Sequence, residues 1–350
     1  MQSEMTAQGP REPKSTLPFV VDSLLAVEKT RVRTQVRDSH LKLRDVVDPR
    51  TVQILERLND TEEFIRDIVA DELHGHPAYF WFSRIKGIGD ENIAKVVGMM
   101  DVRKAPHISS FWRYAGMHVI NIEVSPEDQQ KEITDSIDGL QKKLDELRKK
   151  AAKKAKTVEA EEADEAAEIM TPAVVGDLIN SISTKLGEEL TPITRGYAPR
   201  RSMYKADGKK LDYNSELRVM CFRLAGSLIK ARGKYAEYYD DVKNQLAQKY
   251  RNQGVRIIPT LELPKLNGKI FEPVGTIAAG HVHMQAIRKM IKLFLSHLWL
   301  VWRKAEGLPI SQPYAHDKLG HTHIIDPWDM VEKPERKRRQ RTSTERSSSQ

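Results

Sequence analysis

Ser202 follows directly on Arg200-Arg201 in the run Gly-Tyr-Ala-Pro-Arg-Arg-Ser, so a hydroxyl stands next to two permanent positive charges. A serine attacks a phosphodiester when a base takes its proton or when neighbouring cations stabilise the developing charge. Arg200 and Arg201 meet the second condition, and the sequence identifies no base. On the residues alone, Ser202 is a serine in a basic loop. Lys209 and Lys210 extend the positive charge of the same stretch. The second group with chemical promise is Lys86-Gly87-Ile88-Gly89, ahead of an apolar helical run from Asp90 to Met100. Two glycines allow positive φ and close approach, so N–H groups opening the next helix can face a phosphate, with Lys86 beside them. Such contacts hold a sugar-phosphate backbone without reading bases. The competing reading is a glycine turn that only packs.

Other reactive side chains fit structural roles better. Cys221 lies between Met220 and Phe222, the setting of a buried small hydrophobe rather than a nucleophile. His74 and His76 fall at a Gly/Pro break. His316, His321 and His323 have neither cysteines nor clustered acids nearby, so no metal site is expected. Tyr235, Tyr238 and Tyr239 recur at helical spacing, which favours packing over nucleophilic attack. No cofactor is expected in this chain.

The elements that must position these groups read as helices. Residues 1–23 are expected to be a disordered arm. Charge-rich residues 24–43 follow, a solvated helix or a basic arm. Asp48-Pro49 opens a long helix, Thr51–Leu73, ended by His74-Gly75-His76-Pro77. After the glycine turn, Ser109 or Ser110 caps a helix carrying Phe111, Trp112 and Tyr114. Ser125-Pro126-Glu127 is a helix start. Ile133, Ile137, Leu140, Leu144 and Leu147 then form a short heptad seam. That seam predicts a helical hairpin over 124–192, completed by Val174–Leu190, and a route to homo-oligomers. The basic-then-acidic stretch 149–168 is its expected tip. A basic loop, 196–214, leads to a helix over Ser215–Ala231, then another from Lys234. Residues 254–279 predict a loop or a short strand pair. The last long helix, His281–Glu306, has a core face and an opposite stripe that includes Arg288, Lys292, Trp299 and Arg303, either an ordinary surface or a stripe that follows a phosphate backbone. The fold class is therefore all-α: a helix-hairpin-helix-containing bundle over 24–123 and 193–330, with an inserted coiled-coil-like hairpin.

Charge and hydropathy narrow the function classes. The formal charge is +8 over 350 residues, and residues 333–350 hold seven Lys/Arg against two Glu. The basic surplus is thus concentrated in a low-complexity tail (331–350) able to add affinity for nucleic acid. The single cysteine excludes an intrachain disulfide framework. No run approaches the roughly 18 apolar residues of a membrane span. A cytoplasmic protein without a membrane partner is expected.

In their order along the chain these pieces resemble the C-terminal transposase domain of insertion-sequence transposases of the IS-one-ten group. Its "GIG…A" helix-hairpin-helix, its "F…YAGL" segment, its basic loop and its "N..LR" helix are matched by Gly87-Ile88-Gly89, Phe111–Gly116, Arg200–Lys210 and Asn214-Ser215-Glu216-Leu217-Arg218. The likeness covers about 80–123 and 195–305. It implies DNA as partner, a guide RNA as a second one, and DNA recombination in which Ser202 is the nucleophile. Lys86, Gly87, Gly89, Arg200, Arg201, Lys209, Lys210, Arg288 and Lys292 would contact DNA. The family couples this domain to a RuvC-like acidic domain that binds divalent metal. Residues 1–50 leave no room for it, so a metal would enter through a partner. Ser202 also lacks the glycine that follows the family's serine. A non-catalytic nucleic-acid-binding protein and a helical scaffold with a basic tail are the alternatives.

Overall fold

Asp48 shows how the sequence sets its own helix boundaries. Its carboxylate accepts the backbone N–H of Arg50 at 3.1 Å, and Pro49 occupies the first helical position, where no N–H is needed. The computed structural model describes residues 16–154, 168–206, 208–310 and 325–332. Among these are eleven α-helices: α1 Leu17–Lys42, α2 Pro49–His74, α3 Tyr79–Phe82, α4 Asp90–Val97, α5 Ile108–Tyr114, α6 Pro126–Lys154, α7 Pro172–Ser183, α8 Arg201–Ala206, α9 Ser215–Ala231, α10 Lys234–Asn252 and α11 Ala279–Ala305. Six short strands join them: β1 Ile120–Val124, β2 Ile193–Tyr197, β3 Arg256–Ile258, β4 Lys265–Leu266, β5 Lys269–Ile270 and β6 Thr276–Ala278. The fold is all-α, with strands only as two-stranded ladders. No helix among the described residues is long and apolar enough to cross a membrane. The residues divide into two compact units.

The first unit holds the described residues of Met1–Phe111, Ser215–Gly233 and Leu295–Gln350. Here α1 corrects the expectation of a disordered arm over 1–23. The helix starts at Leu17, because Leu17, Val21 and Leu24 bury one side of it at helical spacing. Val21 sits on Gly98, where an added Cβ would come within 2.7 Å of it. Residues 1–15 lie outside the described ones. The charge-rich stretch 24–42 is a helix rather than a basic arm, with Glu28 and Arg31 paired to neighbouring helices while Arg33 and Arg37 stay exposed. Arg31 and Arg66 both pair with Glu62, a carboxylate only 1% exposed. Lys95, 2% exposed, lies 2.8 Å from Glu28 and 2.6 Å from Glu91. Such pairs persist because a buried charge left alone would cost several kcal/mol, on the order of 3–5. Helix α9 buries the stripe its spacing predicts, Leu217, Met220, Cys221, Leu224 and Leu228. Burial pushes the Cys221 thiol up to about 12, which makes it inert.

The second unit holds Trp112–Asn214 and Lys234–Phe294. Strands β1 and β2 run antiparallel in the register Ile120↔Tyr197 to Val124↔Ile193, so the two ends of the inserted segment meet side by side. Ser125 then caps α6, its hydroxyl accepting the N–H of Asp128 at 3.1 Å. The heptad seam is covered within the chain: Ile133 and Leu140 are buried with Val175, Leu178 and Ile182 of α7. Met170, Ile258, Leu263 and Ala278 complete that core. The insert is therefore not a self-contained coiled coil, and its seam is already occupied. Residues 254–279 form the anticipated strand pair, β3 parallel to β6, and also the β4–β5 hairpin. The tip expected over 149–168 lies for the most part outside the described residues.

Two details of the helix reading change. Helix α5 starts at Ile108, ahead of Ser109 and Ser110, which occupy its first turn instead of capping it. The expected loop 196–214 begins in the last two residues of β2 and contains α8.

Candidate nucleic-acid interface

Five cations are exposed between Arg200 and Lys210: Arg200, Arg201, Lys205, Lys209 and Lys210. Lys205 belongs with the four predicted residues and was legible as a further charge in the same run. The segment between β2 and α9 turns Tyr204 inward, to 9% exposure, behind a buried Pro199. Its hydroxyl donates to Asp212 Oδ1 and lies 3.4 Å from His118 Nε2. Arg113 Nε donates to the other carboxylate oxygen of Asp212 at 2.9 Å, and His118 Nε2 is 3.5 Å from it. The rings of Tyr204 and His118 both meet Tyr213 edge-on, at 6.0 and 6.4 Å. Gly208, at φ +64°, makes the turn that lets Lys209 N–H reach the Tyr204 carbonyl at 2.9 Å.

The electrostatics of this anchor are structural in character. Burial, together with the bond to Asp212 and its charge, raises the Tyr204 phenol to about 12, so it stays protonated as a donor. Burial would also raise Asp212, but the Tyr204 hydrogen bond and the charges of His118 and Arg113 outweigh it and hold the carboxyl below its usual range. His118 is lowered by burial against the opposing pull of Asp212. Arg200 faces a different pair. His281 Nδ1 lies 2.9 Å from Glu272 Oε2, and the charge of Arg200 acts on both groups.

Ser202 is exposed in the first turn of α8, not in an irregular loop. Among the described residues no histidine or carboxylate is hydrogen-bonded to its hydroxyl. The arginines precede it in the chain, and no general base is assembled.

The stripe on α11 differs most from its sequence reading. Arg288 donates to the carbonyls of Gly116 and His118 at 3.5 and 2.9 Å. Lys292 Nζ lies 4.0 Å from the centre of the Trp112 ring, and the indole N–H donates to the Lys292 carbonyl at 3.0 Å. Burial, with Arg288 and Lys289 nearby, lowers the Lys292 pKa. Farther along, Trp299 is 2% exposed and donates to Ala105, while Arg303, 5% exposed, donates to Val102, Ala105 and Pro309. Arg288 and Arg303 satisfy carbonyls of irregular backbone and Lys292 covers an indole face, so the stripe is an internal fastener rather than an open rail for phosphate.

The glycine turn has two different glycines. Gly87, at φ +91°, packs on α9: an added Cβ would lie 2.6 Å from Ala231 Cβ and 2.9 Å from the Ser227 carbonyl. Gly89 is exposed, and an added Cβ there meets nothing within 4 Å. The helix that precedes the turn, α3, is a single turn. Lys86 is exposed, but its backbone N–H donates to Glu332 Oε2 at 3.2 Å. Glu332 N–H in turn donates to the Arg84 carbonyl at 3.2 Å, and Trp328 stacks on Arg84. A carboxylate thus meets the backbone N–H of Lys86, just ahead of the glycine turn. Asp90 and Glu91 add negative charge in the first turn of α4.

His76 is 9% exposed and packs edge-on against Trp302 at 4.3 Å; burial lowers its pKa to about 3. No group of three or more His, Cys, Asp or Glu positioned to hold a metal occurs among the described residues, and His316, His321 and His323 lie outside them. Comparison of the chain with protein-family models, curated proteins and solved structures finds no match.

Proposed function

We propose that this chain binds DNA through the phosphate backbone, as a transposase-like protein of a mobile element. The observation that carries this reading is the cation cluster Arg200, Arg201, Lys205, Lys209 and Lys210, exposed together on a segment that Tyr204, Asp212 and Arg113 hold in place. Exposed cations on a preorganised support suit a polyanion, because little ordering entropy is lost when phosphates arrive. Lys86 and Gly89 of the glycine turn are the second contact, and the basic tail beyond Glu332 supplies further nonspecific attraction.

The decisive experiment measures binding to an unrelated duplex over a salt series, for the full chain and for a chain ending at Glu332. Retention of a steep salt slope by the shorter chain supports a DNA-binding helical body. Loss of all binding with the tail sinks that reading and leaves a helical scaffold. Competition by single-stranded RNA tests for a guide strand.

Strand transfer by Ser202 is the extension of this reading, and the neighbouring Arg200 and Arg201 favour it. The missing base favours non-catalytic binding. A covalent protein–DNA adduct that forms with the native chain and a partner-supplied divalent-metal site, and that disappears in Ser202→Ala, would support catalysis. No adduct under any metal condition would leave binding alone.

A further inference from the structure

We infer a second phosphate-binding site, in a groove between α6 and the β4–β5 hairpin. The groove is a recess of about 180 Å³ lined by Lys142, Lys143, Lys150 and Lys265 against one acid, Glu146. Its floor is apolar and fixed, since Leu263 and Pro264 are both buried. Gly139 lets the hairpin approach α6: a side chain there would overlap the ring of Phe271, the residue that follows β5. Phe271 N–H donates to the Pro264 carbonyl at 3.1 Å, which closes the base of the hairpin. The recess is therefore held open by backbone packing rather than by the lysines.

Four ammonium groups around one carboxylate leave a strongly positive concavity, and none of the four is in an ion pair among the described residues. Four like charges lining one recess repel one another, and an incoming anion relieves that repulsion. Lys142 and Lys150 are eight residues apart on one helix, about 12 Å at 1.5 Å per residue. That length matches three to four nucleotides at about 3.4 Å each. The ligand chemistry is a run of phosphates, as in a phosphodiester backbone or a free polyphosphate. As a DNA contact the groove rests on the proposed function; as a phosphate site it stands without it.

The test is lysine-acetylation footprinting of the full chain, read by mass spectrometry, with duplex DNA and with tripolyphosphate. Protection of Lys142, Lys143, Lys150 and Lys265 by several-fold with both ligands is expected. The variant Lys142→Ala/Lys143→Ala/Lys265→Ala should then lower the DNA salt slope by about three. If DNA binds while the four lysines react as in the free protein with both ligands, the groove is overturned and DNA binding stands. If DNA does not bind but tripolyphosphate protects, the groove stands as a polyphosphate site and the DNA reading fails. If neither ligand protects them, the inference is wrong.

Discussion

Asn214 is fastened to Tyr114, one hundred residues earlier, by two hydrogen bonds. Its backbone N–H donates to the Tyr114 carbonyl at 2.9 Å, and its Nδ2 donates to the Tyr114 phenol at 3.3 Å. The two residues close the ends of a path that runs from α5 through β1 and β2 to the basic segment. Asn214→Ala removes the side-chain bond and keeps the backbone one, a loss of about 1 kcal/mol. Amide exchange over 200–214 should rise several-fold while Tm falls by no more than about 3 °C. Unchanged exchange there would show that the pair does not hold the segment.

Tyr204 and the surface cations should separate stability from binding. Tyr204→Phe takes a donor from the Asp212 carboxylate, and hydrogen bonds to charged groups are worth about 1.5–3 kcal/mol. Its Tm should fall measurably. Arg201→Ala and Lys210→Ala alter exposed positions and should leave stability within about 0.5 kcal/mol, while each lowers the DNA salt slope by about 0.9. The same response from both classes in thermal and binding assays would argue against a rigid support carrying free cations.

The glycine turn offers a comparison within three residues. Gly87→Ala meets Ala231 and the Ser227 carbonyl, at a φ that L-residues rarely adopt, and should destabilise the protein by more than about 2 kcal/mol. Gly89→Ala has open space and an extended backbone at φ −101°, so its stability should be unchanged. Glu332→Ala frees the Lys86 N–H and removes a negative charge from the turn. If the turn contacts phosphate, duplex affinity rises in Glu332→Ala and falls in Lys86→Ala. Equal affinity in both variants would restrict the turn to packing.

Acid should loosen the first unit through His297. Its Nε2 lies 2.9 Å from the Ile325 carbonyl, it is 3% exposed, and burial lowers its pKa to about 4. The unfolded chain takes a proton near pH 6.5 and the folded chain does not. Stability is therefore full above 6.5 and declines as pH falls from 6.5 to about 4. His76, lowered by burial to about 3, acts with the same sign. Tm measured from pH 7 to 4.5 should drop less steeply in His297→Gln. Parallel curves would assign the acid sensitivity to other groups.

Much of the helical framework could be read from local pattern. The stripe of α9, the Asp48-Pro49 start of α2, the Ser125 cap and the heptad seam of α6 each depend on residues within a few turns of one another. Helical periodicity and capping chemistry are local properties, so a linear reading reaches them. The β1–β2 ladder carried a weaker signal in the β-branched Ile120, Ile122, Val124 and Ile193, Thr194. It was missed because strand pairing needs a partner about seventy residues away.

The sequence by itself determined an all-α protein with an inserted hairpin and a cluster of cations around Ser202. Tertiary structure alone decided how those charges are spent. Arg288, Lys292 and Arg303 have the spacing of an open basic stripe, yet they turn inward to carbonyls and an indole face, because irregular buried backbone must find donors. Arg200, Arg201 and Lys205 keep theirs exposed, on a segment anchored inward by Tyr204 and its bond to Asp212. Likewise Gly87 and Gly89 are equivalent in sequence, and only the passage of α9 beside the first makes it a packing residue and leaves the second open.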